Sequence, residues 1–422
     1  MRKLGSPPAA VRWLAALAML IAAVALAGCG SSGGSSSSGE AESSGSAAAA
    51  AEETTEAAAE EPAEEAGEEP AGEEPAGEPG EEKLAAFDPS VPAGPETGLD
   101  KRIAWANTSS AEFFLSLGDA IDEGGESEGC EYTTAVAEDD AQKNVEQMNQ
   151  FIARGIGAMV VQPLDPASQT PVMEKALGEG IGVMGLTNAP TTMVAQTPQY
   201  KVGFEQGKAA AEYVTENLNG EAEVQVFNED SLGQSLQERH EGVLAGLETG
   251  GPGIKVVSDI EAKKLTIEGG FETMNTVIQA HPGIKVVLGV DTEVLGALRA
   301  LEQSGKASED MYLSGIDGEP QALEQIKKGG PYKASWAFAW PVLGYTMGTY
   351  SCQWIAGKSI PKALVVPAVQ LDSKPTIEKY EKDMSEPAAV FNSPQRIATY
   401  IEPLGNISHE EKEDYWKEPF TP

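Results

Sequence analysis

The sequence predicts an α/β fold with parallel sheets divided between two lobes, and three observations carry that prediction. Short apolar or β-branched runs recur along the chain from Lys101 onward. Helical stretches with one apolar face lie between them. Nine such runs over about 270 residues exceed what one core comfortably buries.

In order, the runs are Arg102–Ala106, Tyr132–Val136, Ala158–Gln162, Ile181–Leu186, Glu223–Phe227, Lys255–Asp259, Lys285–Val290, Met311–Ile316 and Ala334–Trp340. Their near-continuous apolar character suits strands buried on both faces of a parallel sheet. One intervening helix opens at Asp140, whose side chain suits an N-cap, and places Val145, Met148, Phe151 and Ile152 on one face. A second runs from Glu205 to Leu218 and stops at Asn219-Gly220. Leu295, Leu298 and Leu301 line a third. Repeated strand–helix–strand units of this kind build a parallel sheet.

The N-terminal quarter reads differently. Arg2, Lys3 and Arg12 precede an apolar run of 15 residues, Trp13–Ala27, which ends in Leu26-Ala27-Gly28-Cys29. The run is short for a membrane span, which takes about 20 residues, and suits a secretory signal. Residues 30–100 are Gly/Ser-rich and then an Ala/Glu/Pro repeat, with 16 glutamates and no lysine or arginine between Glu40 and Glu82. Such a tract buries too little apolar surface to fold and is expected to be disordered. A coil of about 70 residues spans roughly 45–50 Å.

Composition excludes several function classes. Acidic residues outnumber basic ones 66 to 29, giving a net charge of −37, so a phosphate-binding nucleic-acid surface is not expected. With 3 His and 3 Cys, and neither Cys-x-x-Cys nor His-Glu-x-x-His, no metal site or cofactor is expected. No Gly-x-Ser-x-Gly elbow occurs, and Gly357-Lys358-Ser359 lacks the earlier Gly of a phosphate loop, since Cys352 stands there. His240 and His281 suggest no nucleophile–base pair. The chain is therefore expected not to be an enzyme.

Five blocks in order carry a family resemblance: Phe113-Phe114, Asp139–Lys143, Phe151–Pro166, Gly289–Lys306 and Ser314–Gly329. Together they resemble the type I periplasmic sugar-binding proteins of ABC importers, the ribose-binding kind. Leu26–Cys29 resembles a bacterial lipoprotein signal, which implies a lipid on Cys29 and anchoring at the cell envelope. The resemblance implies two Rossmann-like lobes joined by a three-segment hinge near Pro198–Val202, Ala339–Pro341 and Val365–Gln370. It divides the chain into a signal at 1–29, a linker at 30–100, lobe one at 101–199 and 340–372, lobe two at 200–339, and an extension at 373–422. Of the cysteines left after Cys29, the layout brings Cys130 and Cys352 toward the same lobe, where a disulfide is possible.

The resemblance also assigns a ligand cleft at the carboxyl ends of the strands. Phe113 and Phe114 match an aromatic pair that covers a sugar face, with a helix-start core pair as the alternative. Asn107 or Ser109 substitutes for the Asn usual nearby. Asp317 is the expected hydroxyl acceptor. Asp291 matches a second acidic position, with a helix N-cap as the alternative. Thr187-Asn188 stands where the family carries Asp-Arg, and Gln237 stands where it carries an Arg, with Arg239 read as structural. Trp336, Phe338 and Trp340 alternate on one strand, with core packing as the alternative to a site, and Trp340 is the expected ligand contact. An uncharged, more aromatic pocket follows, for a different carbohydrate or another small polyol-like or amphipathic solute, and ribose itself is not expected. The expected partners are a small solute, an ABC permease and, through lipid, the membrane, with the chain acting as a monomer. The alternative function is a ligand sensor that presents its closed form to a membrane signalling receptor.

Overall fold

The computed structural model describes residues 84–186 and 189–422. The signal segment with Cys29, most of the linker, and Thr187-Asn188 lie outside the described residues.

From Arg102 the chain alternates β1 (Arg102–Asn107), α1 (Glu112–Ser127), β2 (Glu131–Val136), α2 (Ala141–Ala153), β3 (Ala158–Val161), α3 (Pro166–Gly178), β4 (Gly182–Gly185) and β5 (Met193–Gln196). It continues through α4 (Gln199–Asn217), β6 (Ala222–Asn228), α5 (Gln234–Glu248), β7 (Ile254–Glu261), α6 (Ile267–Ala280), β8 (Ile284–Leu288), α7 (Asp291–Gln303), β9 (Tyr312–Ile316), α8 (Pro320–Lys328) and β10 (Tyr332–Ala337). The last part comprises α9 (Trp340–Ile355), β11 (Ala363–Val365), β12 (Val369–Leu371), α10 (Lys374–Ser385), α11 (Pro387–Phe391), α12 (Pro394–Ile397) and β13 (Glu402–Leu404).

Local chemistry sets these elements. Asp140 caps α2, its side chain accepting from the Lys143 N–H at 2.9 Å, and the helix buries Met148, Phe151 and Ile152. Thr266 caps α6 by accepting from the Gly269 N–H. Strands β3 and β4 are buried at all four positions, as central parallel strands covered on both faces must be.

Two sheets result. One runs β13-β11-β5-β4-β3-β1-β2 and the other β12-β10-β9-β8-β6-β7. Neighbours are parallel except at one edge of each, where β13 and β12 run antiparallel to β11 and β10. Strand order reverses between β1 and β3 in the first sheet and between β6 and β8 in the second. Such reversals open a crevice beyond the carboxyl ends of the strands.

The chain passes between the sheets four times: from β5 into α4, from β10 into α9, from β11 into β12, and from β12 by way of α10, α11 and α12 to β13. Two of these passages are tied to other segments. Val366 N–H donates to the Gln196 carbonyl at 2.8 Å, and the Tyr380 hydroxyl of α10 donates to the Phe338 carbonyl at 2.8 Å.

Several boundaries differ from the sequence reading. Val369–Leu371, grouped there with lobe one, pairs with β10 of the second sheet. The segment after residue 372 is woven into the body: β13 extends the first sheet, and Val390, Tyr400, Ile401 and Ile407 are buried in its core. From residue 84 the linker's end is bound as well. Gly405 N–H donates to the Ala85 carbonyl, and Gly94 N–H donates to that of Gly357. Trp340 begins α9 rather than ending a strand, because Pro341 fits a helix's first turn and cannot donate to a ladder. Cys130 and Cys352 form a disulfide that fastens the start of β2 to α9, with Cα atoms 6.0 Å apart.

Candidate functional site

Aromatic residues gather where the second passage meets the start of α1. Phe113 and Phe114 contact edge-to-face at 4.9 Å between ring centroids. Phe113 meets Trp340 at 5.3 Å, and Trp340 meets Phe338 at 5.1 Å. Phe338 is buried, whereas Phe113, Phe114 and Trp340 keep part of their surface in solvent. The three half-buried rings form a wall near the reversal of the first sheet. Asn107 lies behind it: the side chain is 1% exposed, and its Oδ1 accepts from the Ser109 N–H at 3.0 Å. That bond shapes the turn after β1. Ser109, half-buried, accepts from the Ala111 N–H.

Asp317 follows β9 in the second sheet. It is exposed and sits at φ 104°, a conformation that costs a non-glycine residue about 1–3 kcal/mol. Its surroundings hold it there. The Asp317 N–H donates to the Trp336 carbonyl at 2.8 Å, and the Gly318 N–H donates to Ser335 Oγ at 3.0 Å. The Glu319 N–H donates to Asp291 Oδ2 at 2.7 Å. β10 thus holds the Asp317 loop at Trp336 and Ser335, and the chain that follows it carries Phe338 and Trp340. Protein crowds Asp317 although solvent reaches it: desolvation raises its carboxyl above the usual range, and the Arg239 charge works against that rise.

Asp291 has a different place from a ligand contact. It is fully buried, and its oxygens accept from Tyr332 Oη, Ser335 Oγ and the Glu319 N–H, each at 2.7 Å. Burial pushes its carboxyl up to about 7 in spite of those three donors. It acts as the knot that holds the Asp317 loop. Gln237 is exposed and donates to the Asp230 carbonyl at 3.0 Å.

A buried polar group beneath Asp317 escaped the sequence reading. Glu229 follows β6 and Glu293 is the third residue of α7; they are 5% and 1% exposed. Arg239 of α5 lies 3.8 Å from Glu229 Oε2 and donates from Nε to Gln199 Oε1 at 2.8 Å. Burial raises Glu229, with Arg239 opposing. Burial and the Glu229 charge push Glu293 up to about 9. Gln206 of α4 joins them, donating to the Gly289 and Ser314 carbonyls at 3.1 and 3.0 Å. Helices α4 and α5 come close because of glycine: a Cβ on Gly203 would strike the Arg239 carbonyl, and one on Gly207 that of Val243. The signal available was a polar side chain on an otherwise apolar helix face, as with Gln206 among Val202, Ala210 and Val214.

Among the described residues no group of three or more His, Cys, Asp or Glu side chains is arranged to hold a metal ion. No helix among them is long and apolar enough to cross a membrane.

Comparison with known proteins places this geometry. A family profile for the periplasmic binding protein domain matches residues 103–359. The D-ribose/D-allose-binding protein of Pseudomonas aeruginosa is 28% identical over 259 residues, covering 58% of this chain and 79% of that protein. The ribose import binding protein of Bacillus subtilis is 26% identical over 232 residues, covering 52% of this chain and 70% of that protein. An ABC transporter solute-binding protein from Bacillus halodurans, solved with myo-inositol bound, aligns with a TM-score of 0.57 at 24% identity. That alignment covers 67% of this chain and 98% of the other.

Proposed function

Because the chain belongs to the periplasmic binding protein domain family, a family of non-catalytic solute binders, we propose that it is the substrate-binding component of an ABC importer. It captures a small carbohydrate or polyol between its two lobes, 101–199 with 340–372 and 200–339, adjusted for β12 and the woven-in tail. It then delivers that solute unaltered to a membrane permease. The relatives named for ribose import and ribose or allose binding support a sugar cargo and favour import over sensing.

One observation carries the reading: β10 holds the strained Asp317 loop through the Trp336 carbonyl, and the chain that follows β10 supplies Trp340 to a wall of half-buried rings. Rings cover the C–H faces of a sugar, and a fixed carboxylate accepts from its hydroxyls. Contact with both lobes would stabilise a closed form, which shifts the population toward the state a permease engages. Phe113, Phe114, Trp340 and Asp317 are the assigned contacts, with Thr187 and Asn188 as further candidates.

We further propose that Cys29 carries lipid and that the acidic linker tethers a monomeric receptor outside the cytoplasm. The Cys130–Cys352 disulfide supports an oxidising compartment.

A thermal-shift screen of the purified protein against D-ribose, D-allose, L-arabinose, myo-inositol and allitol tests the function. A ligand at 100 times its dissociation constant stabilises by about 2.7 kcal/mol. No shift with any sugar or polyol would refute the reading.

A further inference from the structure

The segment after residue 372 lies beyond the family profile, which ends at residue 359, yet it reaches the site. Its helix α10 brings Tyr380 to the chain that follows β10. The Tyr380 hydroxyl donates to the Phe338 carbonyl at 2.8 Å. Phe338 and Ala339 belong to neither β10 nor α9, and these two residues deliver Trp340 to the ring wall. The Phe338 ring in turn packs on Trp340 at 5.1 Å. A Cβ on Gly318 would come 3.8 Å from the same hydroxyl, so Tyr380 also lies against the loop that carries Asp317. Its ring packs against two buried clusters, one containing Leu343 of α9 and the other Leu313 of β9. Burial raises the phenol above its usual range, so the hydroxyl keeps its proton and remains a donor.

Helix α10 is itself held firmly. Ile377 is fully buried. Asp383, also buried, accepts from Lys379 Nζ at 2.9 Å, from the Arg396 guanidinium at 2.6 Å and from the Tyr400 hydroxyl at 2.7 Å. Those bonds fasten α10 to α12 and the chain after it. Lys327 of α8 donates to Glu381 at 2.7 Å, which fastens α10 to the second lobe. A donor fixed in this way holds its acceptor in place before the ligand arrives, which lowers the ordering cost at binding.

We propose that Tyr380 is a positioning residue of the binding site: its hydroxyl fixes the Phe338–Ala339 passage and, through it, the angle at which the Trp340 ring meets the captured solute. The inference rests on the solute-capture reading above. It places a determinant of affinity on the C-terminal extension, outside the span that the family profile matches.

Calorimetric titration of the purified protein with the tightest-binding sugar or polyol of the screen tests this. Tyr380→Phe keeps the ring and removes the hydroxyl, and it is expected to weaken binding about three- to tenfold. Glu381→Gln, one residue further along the same helix, loses the Lys327 ion pair and is expected to bind within about twofold of the native protein. Tyr380→Phe made in the Trp340→Ala protein is expected to weaken binding by less than about twofold more, because the ring that the hydroxyl aims is gone. Native affinity in Tyr380→Phe would overturn the inference and leave solute capture standing. So would an equal loss in Glu381→Gln, or a loss as large in the Trp340→Ala background as in the native one, since either marks a general loosening of the fold. No binding of any sugar or polyol by the native protein would overturn both.

Discussion

Replacing Glu293 by glutamine isolates the electrostatic cost built into the second lobe. The side chain is 1% exposed, and burial first, then the Glu229 charge, pushes its carboxyl up to about 9 from 4.5. The folded state therefore holds a proton that the unfolded state gives up anywhere between those values. Stability from this group is fully present below pH 4.5 and is lost as pH rises through 9. The slope is about 1.4 kcal/mol per pH unit. Between pH 6 and 8 the native protein should lose about 3 kcal/mol through this group at most, since Glu229 shares the proton. Glutamine has nearly the same shape, keeps an N–H donor and does not titrate. Urea unfolding of both proteins at pH 6, 7 and 8, followed by tryptophan fluorescence, should show Glu293→Gln gaining on the native protein by about 1–3 kcal/mol across that range. Parallel pH profiles would refute the reasoning, because they would mean that Glu293 is already ionised in the fold.

Three other outcomes follow from the geometry. Asp317→Ala and Trp340→Ala should each weaken solute binding about tenfold or more while the urea midpoint holds, since neither anchors the core; unchanged affinity in both would misplace the cleft. Asp291→Asn should destabilise the protein by about 2–4 kcal/mol, because an amide offers one acceptor oxygen to three buried donors and turns its own N–H₂ toward them; an unchanged unfolding midpoint would contradict that. Changing Cys130 and Cys352 together to serine opens a loop of sequence separation 222 and should cost about 2–5 kcal/mol, read by the same unfolding curves under oxidising conditions, with equal stability counting against it.

The strands legible in the sequence are those whose apolar runs are long enough to stand apart from noise. Nine such runs became β1–β4 and β6–β10. The strands missed, β5, β11, β12 and β13, are three or four residues long, and pairing with distant segments defines them. Trp340 shows a local conflict: the alternation of Trp336, Phe338 and Trp340 reads as strand, but Pro341 already announced a helix start.

The site divides in the same way. Asp317 lies directly after β9 and Phe113 opens the helix that follows β1, so the sequence exposes both. The role of Asp291 depends on Tyr332 and Ser335, which reach it from β10, two strands away from the β8 that precedes it. Gln206, Glu229, Arg239 and Glu293 meet only because β6 lies beside β8 and because glycines let α4 and α5 touch. Single-residue spacing carries no trace of that meeting.

Native mass spectrometry of the protein with the tightest-binding sugar or polyol from the screen tests the central claim most directly. The account predicts a complex heavier than the free chain by one intact ligand, which is recovered chemically unchanged after dissociation. A ligand returned in altered form, or no complex with any sugar or polyol, would contradict it.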